Sequence, residues 1–99
     1  MKVELNPKVD ADLLEIVEHY FDTDEPQLAS EFYEEFRRYV AVVARRPESF
    51  PIYTKYYRRV NLSRFPYHFL FRVVKSRETL RILVVKHNSR DPKFGLNRR

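Results

Sequence analysis

The sequence predicts a single α+β domain, in which one strand and two helices precede three antiparallel strands. The spacing of apolar residues follows the helical period up to about residue 46 and the strand period after Pro51. The connections between the later segments, Ser63–Pro66 and Lys75–Glu78, are short enough for antiparallel hairpins. A chain of 99 residues has the length of one domain, so we expect residues 1–99 to form one unit.

The first strand and the first helix have distinct signals. Lys2–Leu5 alternates polar and apolar side chains, as a half-buried strand does. Asn6 and Pro7 are favoured at the N-cap and at the first position of a helix, so the first helix is expected to begin there. Its apolar stripe consists of Val9, Leu13, Ile16, Val17 and Tyr20.

A second helix and three strands follow. The helix is marked by an apolar stripe and ends near Arg46 and Pro47, because the residue before proline avoids helical backbone angles. Three later segments are rich in aromatic and β-branched residues, which favours strands at Tyr57–Leu62, Tyr67–Val74 and Leu80–His87. The second stripe consists of Leu28, Phe32, Phe36, Tyr39, Val40 and Val43.

Strand alternation assigns side chains to the two faces of the sheet. The face expected to pack against both helices carries Val60, Leu62, Tyr67, Phe69, Phe71, Val73, Leu80, Ile82 and Val84. The opposite face is expected to be open and basic, and to include Leu83 and Val85. Its polar and charged members are Tyr57, Arg59, His68, Arg72, Arg81 and His87.

Charge is divided unevenly along the chain. Residues 1–36 contain two Lys or Arg and eleven Asp or Glu, whereas residues 37–99 contain seventeen and three. The net charges of −9 and +14 sum to the overall +5. A basic segment of this density suggests a polyanionic partner, which could be nucleic acid, an acidic protein segment or a membrane surface. A solvated basic surface without a ligand remains the alternative.

The predicted basic face has groups suited to cleavage of a phosphodiester. His68 or His87 could act as general acid or base, since histidine titrates near neutrality. Arg59, Arg72 and Arg81 could hold phosphate, and Tyr57 could stack on a base. The same side chains could equally be solvated or contact a protein partner, so they do not establish catalysis.

Several classes of site find no support in the sequence. The chain has no cysteine, so disulfides and cysteine-ligated metals are excluded. No histidines and carboxylates share a metal-ligand spacing, and the one glycine, Gly95, cannot form a phosphate loop. We therefore expect no metal and no organic cofactor. The absence of a signal peptide or a long apolar run predicts a cytoplasmic protein with no membrane partner.

Short motifs along nearly the whole chain resemble those of the RelE/ParE toxin superfamily. They follow the order of the motifs in that superfamily, and the last of them ends with Arg90-Asp91-Pro92. The motifs are Leu5-Asn6-Pro7, Ala11–Ile16, Tyr20-Phe21, Ala29 with Phe32 and Pro47, Arg58–Leu62, Phe65–Tyr67, Phe71–Val73, Ile82–His87 and Ser89–Pro92. The resemblance implies a β-α-α-β-β-β fold with a mainly antiparallel sheet, and the toxin half of a type II toxin–antitoxin pair of the kind called plasmid stabilisation systems.

The superfamily has two branches, and the resemblance implies different chemistry for each. RelE-like members cleave mRNA on the ribosome, for which the matching residues here would be His87 and Arg72, with His68 beside them. ParE-like members inhibit DNA gyrase without a known hydrolytic site. Phe94 lies where nucleases often have tyrosine, and phenylalanine has no proton to transfer. This departure and the Arg90-Asp91-Pro92 ending favour the ParE-like branch; the RelE-like branch and a non-toxic binding domain are the alternatives.

The resemblance also implies partners. Antitoxins of such pairs wrap the toxin with an acidic, amphipathic segment, which the +14 part of the chain would attract. The implied complex is a hetero-oligomer of toxin and antitoxin, and the implied target is gyrase or the ribosome with its mRNA. The residues expected to contact nucleic acid or a partner are Tyr57, Arg59, Arg72, Arg81 and Arg90.

Overall fold

Two helices pack on one face of a five-stranded sheet in the structure, a computed structural model that describes residues 1–99. The sheet order is β1-β5-β4-β3-β2, with β1 parallel to β5 and the other neighbours antiparallel. This arrangement confirms the predicted α+β class and its mainly antiparallel sheet. The elements are β1 (Lys2–Leu5), α1 (Val9–Phe21), α2 (Gln27–Arg45), β2 (Ile52–Thr54), β3 (Tyr57–Asn61), β4 (Tyr67–Val74) and β5 (Thr79–His87).

Strand β2 was not predicted from the sequence. It has three residues, too few to produce a recognisable alternation, and forms the edge of the sheet beside β3. A two-residue turn joins β2 and β3, and Lys55 in this turn takes the left-handed backbone conformation, with φ of 50°. The β2–β3 hairpin thus adds an edge that the predicted β-α-α-β-β-β order lacks.

The helices begin and end close to the predicted positions. α1 begins at Val9, later than Asn6 and Pro7 suggest, because these two residues form a separate turn first. The Asn6 Oδ1 atom accepts the backbone N–H of Lys8 at 2.9 Å within that turn. α2 ends at Arg45, before Pro47, as expected. Neither helix is both long and apolar enough to cross a membrane.

The main core lies between the two helices and the sheet. Phe32 of α2 and Phe69 and Phe71 of β4 are fully buried there. Aromatic rings meet edge to face, with 5.4 Å between the centroids of Phe36 and Phe69. These contacts follow from the predicted stripes, since Val60, Leu62, Tyr67, Leu80 and Ile82 belong to the same cluster.

A β-bulge in β5 overturns part of the predicted face assignment. Leu70 pairs with Val84 and Phe71 pairs with Ile82, so Leu83 is an extra residue on β5. The extra residue reverses the alternation that follows it. Val84, predicted to face the helices, packs instead with Leu70 and Leu83 on the other face. Val85, predicted for that other face, belongs to the core under the helices.

The face opposite the helices is not fully open, which corrects a second prediction. The C-terminal segment, residues 88–99, crosses this face and places Phe94 and Leu96 against Leu70, Leu83 and Val84. Gly95 has φ of +83°, and a Cβ atom there would lie 2.6 Å from a methyl carbon of Val84. The close approach therefore requires glycine, and the lone glycine of the chain marks where this segment meets the sheet.

Two buried cations hold the C-terminal segment in place. The Lys86 ammonium donates to the backbone carbonyls of Pro92 and Phe94 at 3.0 and 2.9 Å. The Arg98 guanidinium forms a two-pronged ion pair with the Asp12 carboxylate of α1, with N–O distances of 2.6 and 2.8 Å. The segment is thus tied both to β5 and to α1.

Candidate functional site

The tail-side face is the sheet face opposite the helices, and it presents three arginines outside the area that the C-terminal segment covers. Arg59, Arg72 and Arg81 lie on it with their side chains half-buried. Arg72 and Arg81 are direct neighbours across β4 and β5. Arg81 forms an ion pair with Glu4 of β1 and donates to the Arg99 carbonyl, whereas Arg59 and Arg72 have no carboxylate partner. Two of the three predicted arginines are therefore available to an anion.

Each of these two arginines lies over a tyrosine ring of the β2–β3 hairpin. The Arg59 guanidinium carbon is 5.4 Å from the centroid of Tyr53, and that of Arg72 is 5.4 Å from the centroid of Tyr56. Sequence analysis did not single out Tyr53 or Tyr56, because β2 was not predicted. Tyr57, which was, packs instead against the apolar cluster of Leu70, Leu83 and Val84.

His68 lies on the tail-side face as predicted, but it is buried. Its side chain is 2% exposed, its Nδ1 atom is 2.8 Å from Asn88 Oδ1, and its Nε2 atom has no partner. The pKa of His68 is lowered to about 4, chiefly by burial and also by the nearby charges of Arg59, Lys86 and His87, while the hydrogen bond to Asn88 opposes the shift. His68 is thus neutral at physiological pH and shielded from a ligand.

His87 lies on the helix side of the sheet, contrary to the prediction. The bulge at Leu83 turns it toward Tyr67, with 5.1 Å between the two ring centroids. The backbone N–H of Ser89 donates to His87 Nδ1 at 3.0 Å. The structure therefore does not place His87 on the same face as Arg72 and His68.

A cleft of about 190 Å³ separates α1 from the end of β5 on the helix side. Glu15 and His19 of α1 line it together with Tyr67 and His87. Burial raises the pKa of Tyr67 to about 12, and the charges of Tyr20 and Glu15 add to this effect, so its hydroxyl stays protonated. No group of three or more His, Cys, Asp or Glu side chains is arranged to hold a metal ion.

Three charged residues around the C-terminal segment were not identified by sequence analysis. Besides its ion pair with Arg98, the Asp12 carboxylate accepts the backbone N–H of Val85 through Oδ2 at 3.1 Å. Lys86 is 3% exposed, and burial lowers its pKa. Arg98 contacts Asp12 from 86 positions away. No local pattern reveals such a contact, because it depends on where the C-terminal segment folds.

Arg90, predicted to contact a partner, lies in the C-terminal segment and is exposed. Its guanidinium carbon is 3.8 Å from the centroid of Phe94, and that of Arg98 is 5.1 Å from the same ring. Phe94 therefore lies against two arginines and the apolar cluster. The tail-side face can bind an anion through arginine and stack on tyrosine, but it presents no accessible histidine to transfer a proton.

Residues 3–92 match a family model described as the ParE toxin of the type II toxin–antitoxin system parDE. The chain belongs to the ParE toxin family. The match covers both helices and, apart from Lys2, all of the sheet of this ParE toxin family member. Phe94, Gly95 and Arg98, which complete the covering of the tail-side face, lie beyond the matched residues.

Solved structures confirm the fold. A chain of the chromosomal ParDE toxin–antitoxin system from P. aeruginosa has a TM-score of 0.76 at 23% identity, covering 88% of this chain and 95% of that one. The isolated E. coli RelE toxin has a TM-score of 0.66 at 11% identity, covering 92% and 87%. At these identities the likeness concerns the fold, which both branches of the superfamily share. No curated protein matches the sequence.

Proposed function

We propose that this ParE toxin family member inhibits DNA gyrase and is neutralised by a cognate antitoxin. The observation that carries the proposal is the position of the two candidate catalytic histidines. A ribonuclease of the RelE type that held phosphate on Arg59 and Arg72 would need an accessible acid or base beside these two arginines. His68 is enclosed and neutral, and the β5 bulge places His87 on the other side of the sheet. Membership of the ParE family supports the same branch.

The proposal is tested by expressing the protein and its His87→Gln variant in a sensitive bacterium. His87 is only half-buried, so glutamine at this position should leave the fold intact. Growth inhibition should be unchanged by the substitution, and plasmids from arrested cells should lose negative supercoiling. Primer extension on abundant transcripts should show no new 5′ ends. New transcript ends that disappear in the His87→Gln variant, with normal supercoiling, would favour the RelE-like alternative.

The antitoxin is expected to contact an apolar groove between β1 and α2. Val3 and Leu5 of β1 line it with Phe36 and Ala41 of α2, and both β1 side chains are more than one-third exposed. Arg37 also lines this groove, so an amphipathic acidic segment would find both apolar contacts and a cation there. This combination supports a role for the groove in neutralisation.

Ala41→Glu tests the groove because it adds a charge at an exposed position on the surface of α2. We expect this variant to stay toxic but to need at least about tenfold more antitoxin for rescue, since a desolvated charge in an interface costs more than about 1.4 kcal/mol. Ser30→Glu, at another exposed position of α2, is the matched control. Equal rescue of the two variants by the antitoxin would exclude the groove as its binding site.

A further inference from the structure

The β2–β3 hairpin lies in the longest part of the chain without a carboxylate. Residues 49–77 contain seven Lys or Arg and no Asp or Glu. Five of these seven cations belong to or flank β3 and β4, and Arg59 and Arg72 make no ion pair. Because no carboxylate pairs with Arg59 or Arg72, the positive charges of these two side chains are available to a ligand or to solvent.

Aromatic rings stand beside these free cations. Tyr56 is 61% exposed and Tyr53 is 39% exposed. Tyr56 also lies 5.3 Å from Tyr57, measured between ring centroids. We call the group of Tyr53, Tyr56, Arg59 and Arg72 the hairpin patch. It consists of two pairs, each with a guanidinium group over a tyrosine ring: Arg59 with Tyr53, and Arg72 of β4 with Tyr56.

We propose that the hairpin patch is a binding site for single-stranded nucleic acid, with phosphates on Arg59 and Arg72 and unpaired bases stacked on Tyr53 and Tyr56. Proteins that bind single strands combine a cationic surface with exposed aromatic side chains in this way. The hairpin patch has both components, and both tyrosines are exposed in the hairpin that contains the edge strand β2, where a flexible strand can reach them. This inference goes beyond gyrase inhibition and can fail without affecting it.

A single strand fits the hairpin patch better than an acidic protein segment does. Carboxylates would pair with the arginines but leave two exposed tyrosine rings without a specific partner. Duplex DNA would offer phosphates but keep its bases stacked within the helix, so the tyrosines would again contribute nothing. Only unpaired bases use the rings and the guanidinium groups together.

The test measures the fluorescence anisotropy of labelled oligothymidine and oligouridine against the purified protein over a range of salt concentrations. We expect both single strands to bind, and a duplex of the same length and a polyglutamate peptide to bind more weakly. Log affinity falls as log salt concentration rises, and each phosphate contact makes this fall steeper by about 0.7. The double variant Arg59→Gln with Arg72→Gln should therefore make it shallower by about 1.4. Tyr56→Ala should weaken binding about tenfold and leave that slope unchanged.

Matched variants on α2 control for net charge and for loss of a ring. Arg37→Gln with Arg45→Gln removes two exposed cations, and Tyr33→Ala removes a tyrosine that is 43% exposed. These controls should keep most of the affinity, and equal circular-dichroism melting curves should show that all variants fold. The proposal is overturned if single strands do not bind, if the duplex or polyglutamate binds as tightly, or if the controls weaken binding as much as the hairpin variants.

Discussion

At the scale of single residues, His68 shows how burial decides the chemistry of a side chain. Its place on β4 was predicted from strand alternation, and the structure confirms the face but buries the ring. The sequence could not reveal this burial, because the segment that encloses it begins twenty residues later, at Asn88. A histidine predicted as an exposed acid or base is thus part of a packed interior.

The lowered pKa of His68 makes the stability of the protein depend on pH. The folded pKa is about 4 against an ordinary 6.5, so the unfolded chain binds more protons between these values. The free energy of unfolding should therefore fall as the pH drops through this window, by up to about 1.4 kcal/mol per pH unit from this residue. Urea denaturation at several pH values measures the effect.

A comparison of two variants isolates His68 from the carboxylates that titrate at similar pH. His68→Met removes the titrating ring, and its stability should depend less on pH over the same window. His19→Gln, at an exposed position of α1, should keep the full dependence. The interpretation of His68 is wrong if the His68→Met variant and the original protein lose stability in parallel.

At the scale of elements, the sequence predicted both helices and four of the five strands, but not strand β2 or the register of β5. Apolar periods identified α1, α2, β3, β4 and β5 because each buries a continuous stripe or face. The bulge at Leu83 left no such signal, since Leu83, Val84 and Val85 are all apolar and fit either face. Because of this extra residue, His87 lies on the helix side of the sheet. The prediction that His87 and Arg72 share one face is therefore wrong.

The C-terminal segment is attached to α1 through one buried ion pair. Asp12 and Arg98 are 7% and 8% exposed, and they also bond to the backbone of β5 where it extends beyond its pairing with β1. Removing one partner of such a pair leaves a buried charge without compensation. Asp12→Asn should therefore lower the free energy of unfolding by about 3–5 kcal/mol.

Two further variants separate the ion pair from the general effects of substitution. Asp12→Leu combined with Arg98→Met replaces both charges by apolar groups and should recover most of the lost stability, because neither charge remains buried alone. Glu4→Gln breaks only half-exposed pairs with Arg77 and Arg81 and should cost about 1 kcal/mol or less. Asp12→Asn costing no more than Glu4→Gln would show that the segment is held by apolar packing alone.

At the scale of the whole molecule, the division of charge corresponds to a division of surfaces. The acidic first third lies mostly on α1 and the start of α2, whereas the tail-side face and the hairpin patch belong to the basic remainder. The predicted basic surface therefore exists, but it is smaller than expected. The C-terminal segment covers its apolar half and leaves uncovered Arg72 of β4 and, in the β2–β3 hairpin, Arg59 and two tyrosines.

A supercoiling assay with purified gyrase tests the proposed inhibition of gyrase most directly. Relaxed plasmid, gyrase and ATP are incubated with increasing amounts of the protein, with and without its antitoxin. We predict that supercoiling is inhibited in proportion to the protein added and that the antitoxin restores it. Full supercoiling at a large molar excess of folded protein would contradict the claim.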